Sequence, residues 1–188
     1  MRNKTVIFMV EVAIFGVLGY LLDLFSFKLW AQGGSISFAM LPIFIISYRW
    51  GLKGGLLTGL MVGLLQVVAG QPYIYTPLQA FLDYFVAFSL VGTAGIFASR
   101  IRHSLENGQR NKAVGFIVGG AFLGSLLRYA IHVYSGIVFF GEYAPEGTPV
   151  FIYSLVYNLT YMGPAFLLSA MVLAGIIKGA ERLVIRTT

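Results

Sequence analysis

Apolar residues recur along the chain in six long stretches, which short polar or glycine-containing segments separate. A helix needs about 20 mainly apolar residues to cross the hydrocarbon core of a bilayer. The pattern therefore predicts an all-α integral membrane protein with one six-helix transmembrane domain over residues 1–188, whose spans are approximately 5–26, 37–48, 51–70, 77–98, 113–141 and 149–177. The second stretch makes only about 18 Å of helix, so we expect it to be tilted, buried or continuous with irregular backbone.

Composition and charge agree with this class. Hydrophobic residues make up 58% of the chain, charged residues make up 11%, and cysteine does not occur. If the N-terminus is cytoplasmic and the sides alternate, eleven of the thirteen Lys and Arg residues lie inside, Lys28 lies outside and Arg128 lies within the fifth span. Because basic residues favour the cytoplasmic side, we expect both termini in the cytoplasm. The polar stretch 99–112 is the expected linker between the fourth and fifth spans.

Glycine forms a regular stripe in the third stretch. Gly51, Gly55, Gly59 and Gly63 recur every four residues and so share one face of a helix. Small residues on one face let two helix backbones approach closely within a membrane. We favour packing within the chain as the reason for the stripe, with an interface between copies as the alternative.

Polar side chains inside the spans are the candidate chemistry, because ionisable groups are costly in hydrocarbon unless they are paired or face a cavity. Asp83, Arg128 and His132 stand out, and Asn158 lies at a similar depth. Arg128 and His132 share a helix face through their i, i+4 spacing. These groups predict a binding site in the outer half of the membrane or, as the alternative, a structural ion pair between Asp83 and Arg128.

Aromatic residues near these positions favour the binding site. They include Tyr73, Tyr84, Phe140 and Tyr153. Aromatic faces beside buried polar groups suit a flat, cationic or heteroaromatic ligand, since each cation–π contact contributes roughly 0.5–2 kcal/mol. Tyrosine also collects at membrane interfaces, so a single ring in this set does not by itself indicate a ligand contact.

Other chemistries lack their motifs in the sequence. There is no G-x-x-x-x-G-K-[ST] motif, so we do not expect the chain to hydrolyse ATP by itself. His103 and His132 lie in separate segments and do not form a zinc motif. We expect no metal, no cofactor and no enzymatic activity. A small membrane enzyme that uses Asp83 and His132, and a secondary carrier that works without an ATPase, are the alternatives from other classes.

Four segments keep polar residues in a fixed order between apolar runs: QGGSISFAMLPIFIISYRWGLKGGLLTGL at 32–60, LQAFLDYFVAF at 78–88, GSLLRYAIHVYSGIVFFG at 124–141 and GTPVFIYSLVYNLTYM at 147–162. In these segments the chain resembles the thiamine-specific substrate-binding subunits (S components of the ThiT/YuaJ type) of energy-coupling factor (ECF) vitamin transporters. The resemblance implies a bacterial multi-pass membrane protein that binds thiamine near its outer face, under the connection 27–36. It also implies an ECF transmembrane coupling subunit and two cytoplasmic ATPase subunits as partners, and no nucleic acid. An S component for another vitamin, such as riboflavin, is the alternative.

The resemblance also implies which residues bind the substrate: Tyr73, Asp83, Tyr84, Arg128, His132, Phe140, Tyr153 and Asn158. By analogy, the carboxylate pairs with the aminopyrimidine or offsets the thiazolium charge, while Asn158 and Tyr153 hydrogen-bond to ring nitrogens. In the first span the family docks on the coupling subunit through small residues spaced by four. Here Ala13 and Val17 have that spacing and Gly16 lies close by, and ordinary packing is the alternative for all three.

Overall fold

A computed structural model describes residues 3–28, 33–70 and 72–185, and for Lys178 it describes the backbone alone. Arg2 and Arg186 from the charge count, and residues 29–32 of the expected covering connection, lie outside this part. The described residues contain five helices that are long and apolar enough to cross a membrane. They are α1 (Lys4–Leu24), α2 (Met40–Ala69), α3 (Pro77–Glu106), α4 (Arg110–Phe139) and α5 (Val150–Gly179).

Short elements connect these helices. After α1, strands β1 (Phe27–Lys28) and β2 (Ser35–Ile36) pair in antiparallel fashion, with Phe27 opposite Ile36. A 3₁₀ turn, Gly141–Tyr143, follows α4, and a second one, Glu181–Leu183, follows α5.

Helix α2 covers both the second and the third predicted stretch. It is interrupted at Gly51, whose φ of 76° and ψ of −165° are not helical. This left-handed φ is accessible to glycine without the steric penalty that a Cβ would bring. The predicted boundary between 48 and 51 therefore coincides with a break inside one element, and the described residues form five long helices where the sequence predicted six spans.

The segment of α2 before this break is the centre of the core. Met40, Ile43, Phe44 and Ile46 are at most 1% exposed. Tyr48 is equally buried, and its hydroxyl donates a hydrogen bond to the carbonyl of Ile117 in α4 at 2.7 Å. Because protein surrounds this segment on all sides, its length does not have to match the thickness of a bilayer, which explains why the second apolar stretch is short.

The glycine stripe packs α2 against the backbone of α3. A Cβ at Gly59 would lie 2.1 Å from the carbonyl oxygen of Phe88, and one at Gly63 would lie 2.1 Å from the carbonyl oxygen of Tyr84. A Cβ at Gly55 would lie 2.6 Å from the carbonyl oxygen of Gly92. Side chains of any size are excluded from this contact. Packing within the chain is therefore confirmed as the role of these three glycines.

The expected linker 99–112 is mostly helical, so that prediction was wrong. Helix α3 continues to Glu106, and α4 already begins at Arg110. The reason is amphipathic packing, because Ile101 and Ser104 are buried while the charged residues around them remain exposed. The true connection is the short turn 107–109.

A polar cluster ties the ends of three elements together close to the Gly51 break. The guanidinium of Arg49 donates to both carboxylate oxygens of Glu11, at 2.5 and 2.9 Å. It also donates to the carbonyls of Arg182 and Ile185, at 2.9 and 3.1 Å. The indole N–H of Trp50 donates to Glu11 at 2.6 Å. These bonds join α1, α2 and the segment after α5.

A polar and aromatic cavity as the candidate binding site

A cavity of about 580 Å³ lies between the five helices and the β1–β2 hairpin. Helix α1 contributes Asp23, α2 contributes Gln66, α3 contributes Asp83, α4 contributes His132 and α5 contributes Asn158. The structure brings all the predicted substrate-binding residues to this one cavity: Tyr73, Asp83, Tyr84, Arg128, His132, Phe140, Tyr153 and Asn158.

The start of α3 positions the acidic part of the cavity. Thr76 caps the helix, since its hydroxyl accepts from the backbone N–H of Gln79 at 3.1 Å, and Pro77 occupies the first turn. The side-chain oxygen of Gln79 accepts from the N–H of Tyr75 at 2.9 Å, which turns its NH₂ group towards Asp83. That NH₂ donates to Oδ2 of Asp83 at 2.6 Å. The N-terminal turn of α3 thus orients Gln79 and, through it, the carboxylate of Asp83.

Asp83 itself lies in a π-helical segment, Phe81–Val86, inside α3. Such segments are rare and occur often at functional sites. The carboxylate is buried, with 9% of the residue exposed, and its Oδ2 accepts a second hydrogen bond from the hydroxyl of Ser135 at 3.0 Å. No hydrogen bond from the described residues reaches Oδ1. Oδ2 is therefore fixed by two hydrogen bonds, whereas Oδ1 has no hydrogen bond from the described residues and has the imidazole of His132 as its neighbour.

His132 stands between Asp83 and Arg128. Its Nδ1 lies 3.2 Å from Oδ1 of Asp83, and its Nε2 accepts from Nε of Arg128 at 3.3 Å. Since Nε2 is an acceptor here, the network assigns the ring proton to Nδ1, which faces the carboxylate. The guanidinium of Arg128 also sits 3.9 Å above the ring of Phe88, a cation–π contact. The described residues show a chain through the imidazole, not a direct ion pair between Asp83 and Arg128.

Asn158 connects α5 to α4 at the bottom of the cavity. It is buried, and its NH₂ group donates to the carbonyls of Ser154 and His132 at 2.8 and 3.3 Å. The hydroxyl of Tyr161 donates to its side-chain oxygen. Protein groups therefore occupy most of its hydrogen-bonding capacity, and one lone pair of the oxygen remains.

Aromatic rings form the walls towards the loops. The rings of Tyr73 and Phe140 lie 5.9 Å apart, and those of Tyr153 and Tyr157 lie 5.6 Å apart. The hydroxyl of Tyr84 accepts from the backbone N–H of Tyr73 at 2.9 Å, so the loop before α3 is held against the helix. Flat apolar faces on two sides of the cavity, with charged groups between them, match the chemistry of a charged heterocycle.

Comparison with known proteins identifies the family. The model of the family described as thiamine transporter protein (Thia_YuaJ) matches residues 9–185. The chain belongs to this thiamine transporter family. It is 47% identical over 184 residues to thiamine transporter ThiT of Bacillus subtilis (strain 168), covering 97% of this chain and 96% of the relative. It is 29% identical over 160 residues to thiamine transporter ThiT of Lacticaseibacillus paracasei, covering 84% and 80% of the two chains.

A solved structure gives the same result for the fold. ThiT from Listeria monocytogenes superposes with a TM-score of 0.92 at 31% sequence identity, and the match covers 97% of this chain and 100% of that one. Membership of the Thia_YuaJ family makes the chain a transport protein and not an enzyme. Together with the apolar helices, it confirms the prediction of a multi-pass membrane protein of the bacterial type.

The predicted docking residues of this Thia_YuaJ chain do not share one surface. Ala13 and Val17 are exposed on α1. Gly16 is buried, and a Cβ there would lie 2.4 Å from Cγ of Met61 in α2. Gly16 is therefore part of the α1–α2 contact, while Ala13 and Val17 are free to face a partner or lipid.

Sequence reasoning missed several residues that line the cavity of this family member. They include Tyr20, Asp23, Gln66 and Tyr161. Two of them had a readable signal, because Asp23 and Gln66 are polar side chains within predicted apolar spans, where such groups are expected to face a cavity or a partner. Tyr20 and Tyr161 had none, since tyrosine is common at membrane interfaces.

Proposed function

We propose that this chain is the thiamine-binding, substrate-capture subunit of an ATP-driven ECF-type vitamin importer. The proposal rests on membership of the thiamine transporter family and on one observation above all. A buried carboxylate, Asp83, lines a cavity with aromatic walls. This combination suits a ligand that is flat, cationic and able to donate hydrogen bonds.

The size of the cavity supports a small-molecule ligand. Small-molecule pockets are typically about 300–1,000 Å³, and this one is about 580 Å³. Thiamine consists of an aminopyrimidine, a thiazolium ring and a short hydroxyethyl tail. Two linked aromatic rings of this kind fit the space between Tyr73 and Phe140 on one side and Tyr153 on another.

The hydrogen-bonding groups suggest how the rings are held. The carboxylate of Asp83 accepts from the amino group of the pyrimidine, because Gln79 and Ser135 hold this acceptor in place in the wall of the cavity. The remaining lone pair of Asn158 and the hydroxyl of Tyr153 serve the other polar atoms of the ligand. Arg128 donates to Nε2 of His132 and so keeps the ring proton on Nδ1, on the side of Asp83. The rings of Tyr73, Tyr84 and Phe140 stack on the ligand.

The arrangement in the membrane follows from the break in α2 and from the charges. If the two parts of α2 are counted separately, the chain has six helical spans, and the positive-inside rule then puts both termini in the cytoplasm. The cavity then lies towards the outside, where vitamin is captured. The chain carries no P-loop, so a transmembrane coupling subunit and two ATPases supply the free energy that reorients it, with Ala13 and Val17 in the docking surface.

Calorimetric titration of the purified protein with thiamine, thiamine phosphates and riboflavin tests the substrate. We expect thiamine to bind and riboflavin not to bind. Tighter binding of riboflavin would favour an S component for riboflavin. Conversion of thiamine to a product would favour the membrane enzyme. Uptake by vesicles that contain the chain alone would favour the secondary carrier.

The substitution Asp83→Asn tests the site. Hydrogen bonds to charged groups contribute about 1.5–3 kcal/mol, so we expect thiamine affinity to fall at least about tenfold. Glu142→Gln is the matched control, because it removes an equal charge from an exposed residue that does not line the cavity. If Asp83→Asn stays folded and binds thiamine like the control, the carboxylate has no part in recognition.

A further inference from the structure

A second carboxylate, Asp23 of α1, faces the same cavity. It lies near the C-terminal end of α1, far in sequence from every residue discussed for binding. Its backbone carbonyl accepts from the N–H of Ser26 at 3.0 Å, which closes the end of the helix.

The end of α1 is held firmly against α2, so the position of Asp23 is defined. A Cβ at Gly19 would lie 2.7 Å from a methyl group of Val62 and 3.2 Å from the carbonyl oxygen of Ala39, so the helices touch there. One residue later, the hydroxyl of Tyr20 donates to the carbonyl of Ala69 at 2.7 Å. Asp23 follows Tyr20 by three residues and therefore shares its face of the helix, and both line the cavity.

The two carboxylates of the cavity differ in how the protein holds them. Asp83 receives two hydrogen bonds on one oxygen, from Gln79 and Ser135. Within the described part of the chain, no hydrogen bond or ion pair reaches the side chain of Asp23. A carboxylate that receives no hydrogen bond from the described residues suits a positive charge that itself carries no N–H group.

Among the described residues, the cations of the cavity make no hydrogen bond or ion pair with Asp23, and Arg128 acts on it only through longer-range electrostatic attraction. Arg128 is turned towards His132 and stacks on the ring of Phe88. Lys28 lies in β1, where the residue is exposed. The cavity therefore presents two negative groups from opposite elements, α1 and α3, and each of them can meet a different part of a cationic ligand.

We propose that Asp23 is the residue that selects for the permanent positive charge of the ligand, by facing the thiazolium ring while Asp83 binds the aminopyrimidine. This inference rests on the proposed function. A thiazolium ring has a delocalised charge and no N–H donor, so it is recognised through electrostatic attraction and ring stacking, not through a directed hydrogen bond. Asp83, whose orientation is fixed by hydrogen bonds from Gln79 and Ser135, is the better acceptor for an amino group.

The test compares thiamine with 3-deazathiamine, a neutral isostere in which thiophene replaces thiazolium. Calorimetry measures both ligands on the wild-type chain and on Asp23→Asn, Asp23→Glu and Asp83→Asn. Asp23→Asn should weaken thiamine at least about tenfold and change the neutral isostere by less than about threefold, since an opposite charge within a few ångströms favours only the charged ligand. Asp23→Glu should keep the preference for the charged ligand. Asp83→Asn should weaken both ligands, because they share the aminopyrimidine.

The outcomes separate this inference from the proposed function. If the wild-type chain binds no thiamine, the proposed function fails, and the role of Asp23 fails with it. If the wild-type chain binds thiamine but Asp23→Asn affects both ligands equally, or affects neither, the proposed function stands and the charge-selecting role of Asp23 is refuted. Thermal unfolding of each variant without ligand checks folding, and Asp23→Ser provides a second neutral variant with the same expected pattern if Asp23→Asn is unstable.

Discussion

The substitution Gly63→Ala tests whether the contact between α2 and α3 positions the binding site. A Cβ at this residue would lie 2.1 Å from the carbonyl oxygen of Tyr84 and 2.8 Å from its carbonyl carbon. Tyr84 and the neighbouring Asp83 both line the cavity. A change of one methyl group outside the cavity is therefore expected to reach the groups that bind the ligand.

The size of the effect follows from these distances. Real Cβ atoms do not approach other heavy atoms within 3.0 Å, so roughly 1 Å has to open between two helix backbones that have no flexible side chain to yield. Overpacking of this kind costs about 1–3 kcal/mol, and the better helix propensity of alanine returns about 0.5–1 kcal/mol. The difference is a net loss in stability of roughly 0–2.5 kcal/mol, and we expect about 1 kcal/mol from the middle of the two ranges. Binding sites tolerate displacements of only about 0.5 Å, so thiamine affinity should fall by about tenfold.

Thermal unfolding in detergent, followed by circular dichroism, and calorimetric titration with thiamine measure the two effects. Gly119→Ala is the matched control, because this glycine lies within α4 and a Cβ there would meet nothing within 4 Å. The control should unfold at the same or a slightly higher temperature and keep its affinity. If Gly63→Ala behaves like Gly119→Ala, the two backbones are not in the contact described, and the stripe does not position Asp83.

Two further predictions separate partner docking and stability from substrate binding. Ala13→Trp should abolish vitamin uptake in cells that contain the coupling subunits and leave the affinity for thiamine unchanged. Leu167→Trp, on the exposed face of α5, is the control and should change neither uptake nor affinity. Equal uptake in both variants would refute the docking surface. Arg49→Met should lower the unfolding temperature, because it leaves Glu11, a partly buried carboxylate, without its main partner. Thiamine affinity should persist there, since neither residue lines the cavity, and an unchanged unfolding temperature would refute the importance of this ion pair.

The sequence predicted which residues line the cavity better than it predicted the helices. Asp83, His132 and Asn158 could be found because polar groups inside apolar spans are costly unless they meet one another or a cavity. The break near Gly51 was also visible, since a glycine separates two apolar runs. The continuity of α2 across that glycine was not visible, because it depends on packing against α3.

Other features depend on contacts distant in sequence, which a local pattern does not contain. The polar stretch 99–112 has the composition of a linker, yet Ile101 packs in the core and keeps α3 helical to Glu106. The π-helical segment around Asp83 has no signature in residue types. The alternative of a direct ion pair between Asp83 and Arg128 missed that His132, one turn away on α4, lies between the two charges.

The glycine contact between α2 and α3 also limits which motions the protein has available. Because backbone atoms of α2 and α3 touch directly, a change of side-chain rotamer cannot make room for one helix to slide along the other. We therefore expect these two helices to move as one rigid frame during transport. Release of a bound vitamin then has to come from displacement of the elements packed around that frame, namely α1 with its hairpin or the α4–α5 pair. The sequence contains no cysteine. Pairs of cysteines can therefore be introduced and spin-labelled to follow this movement without labelling of other residues.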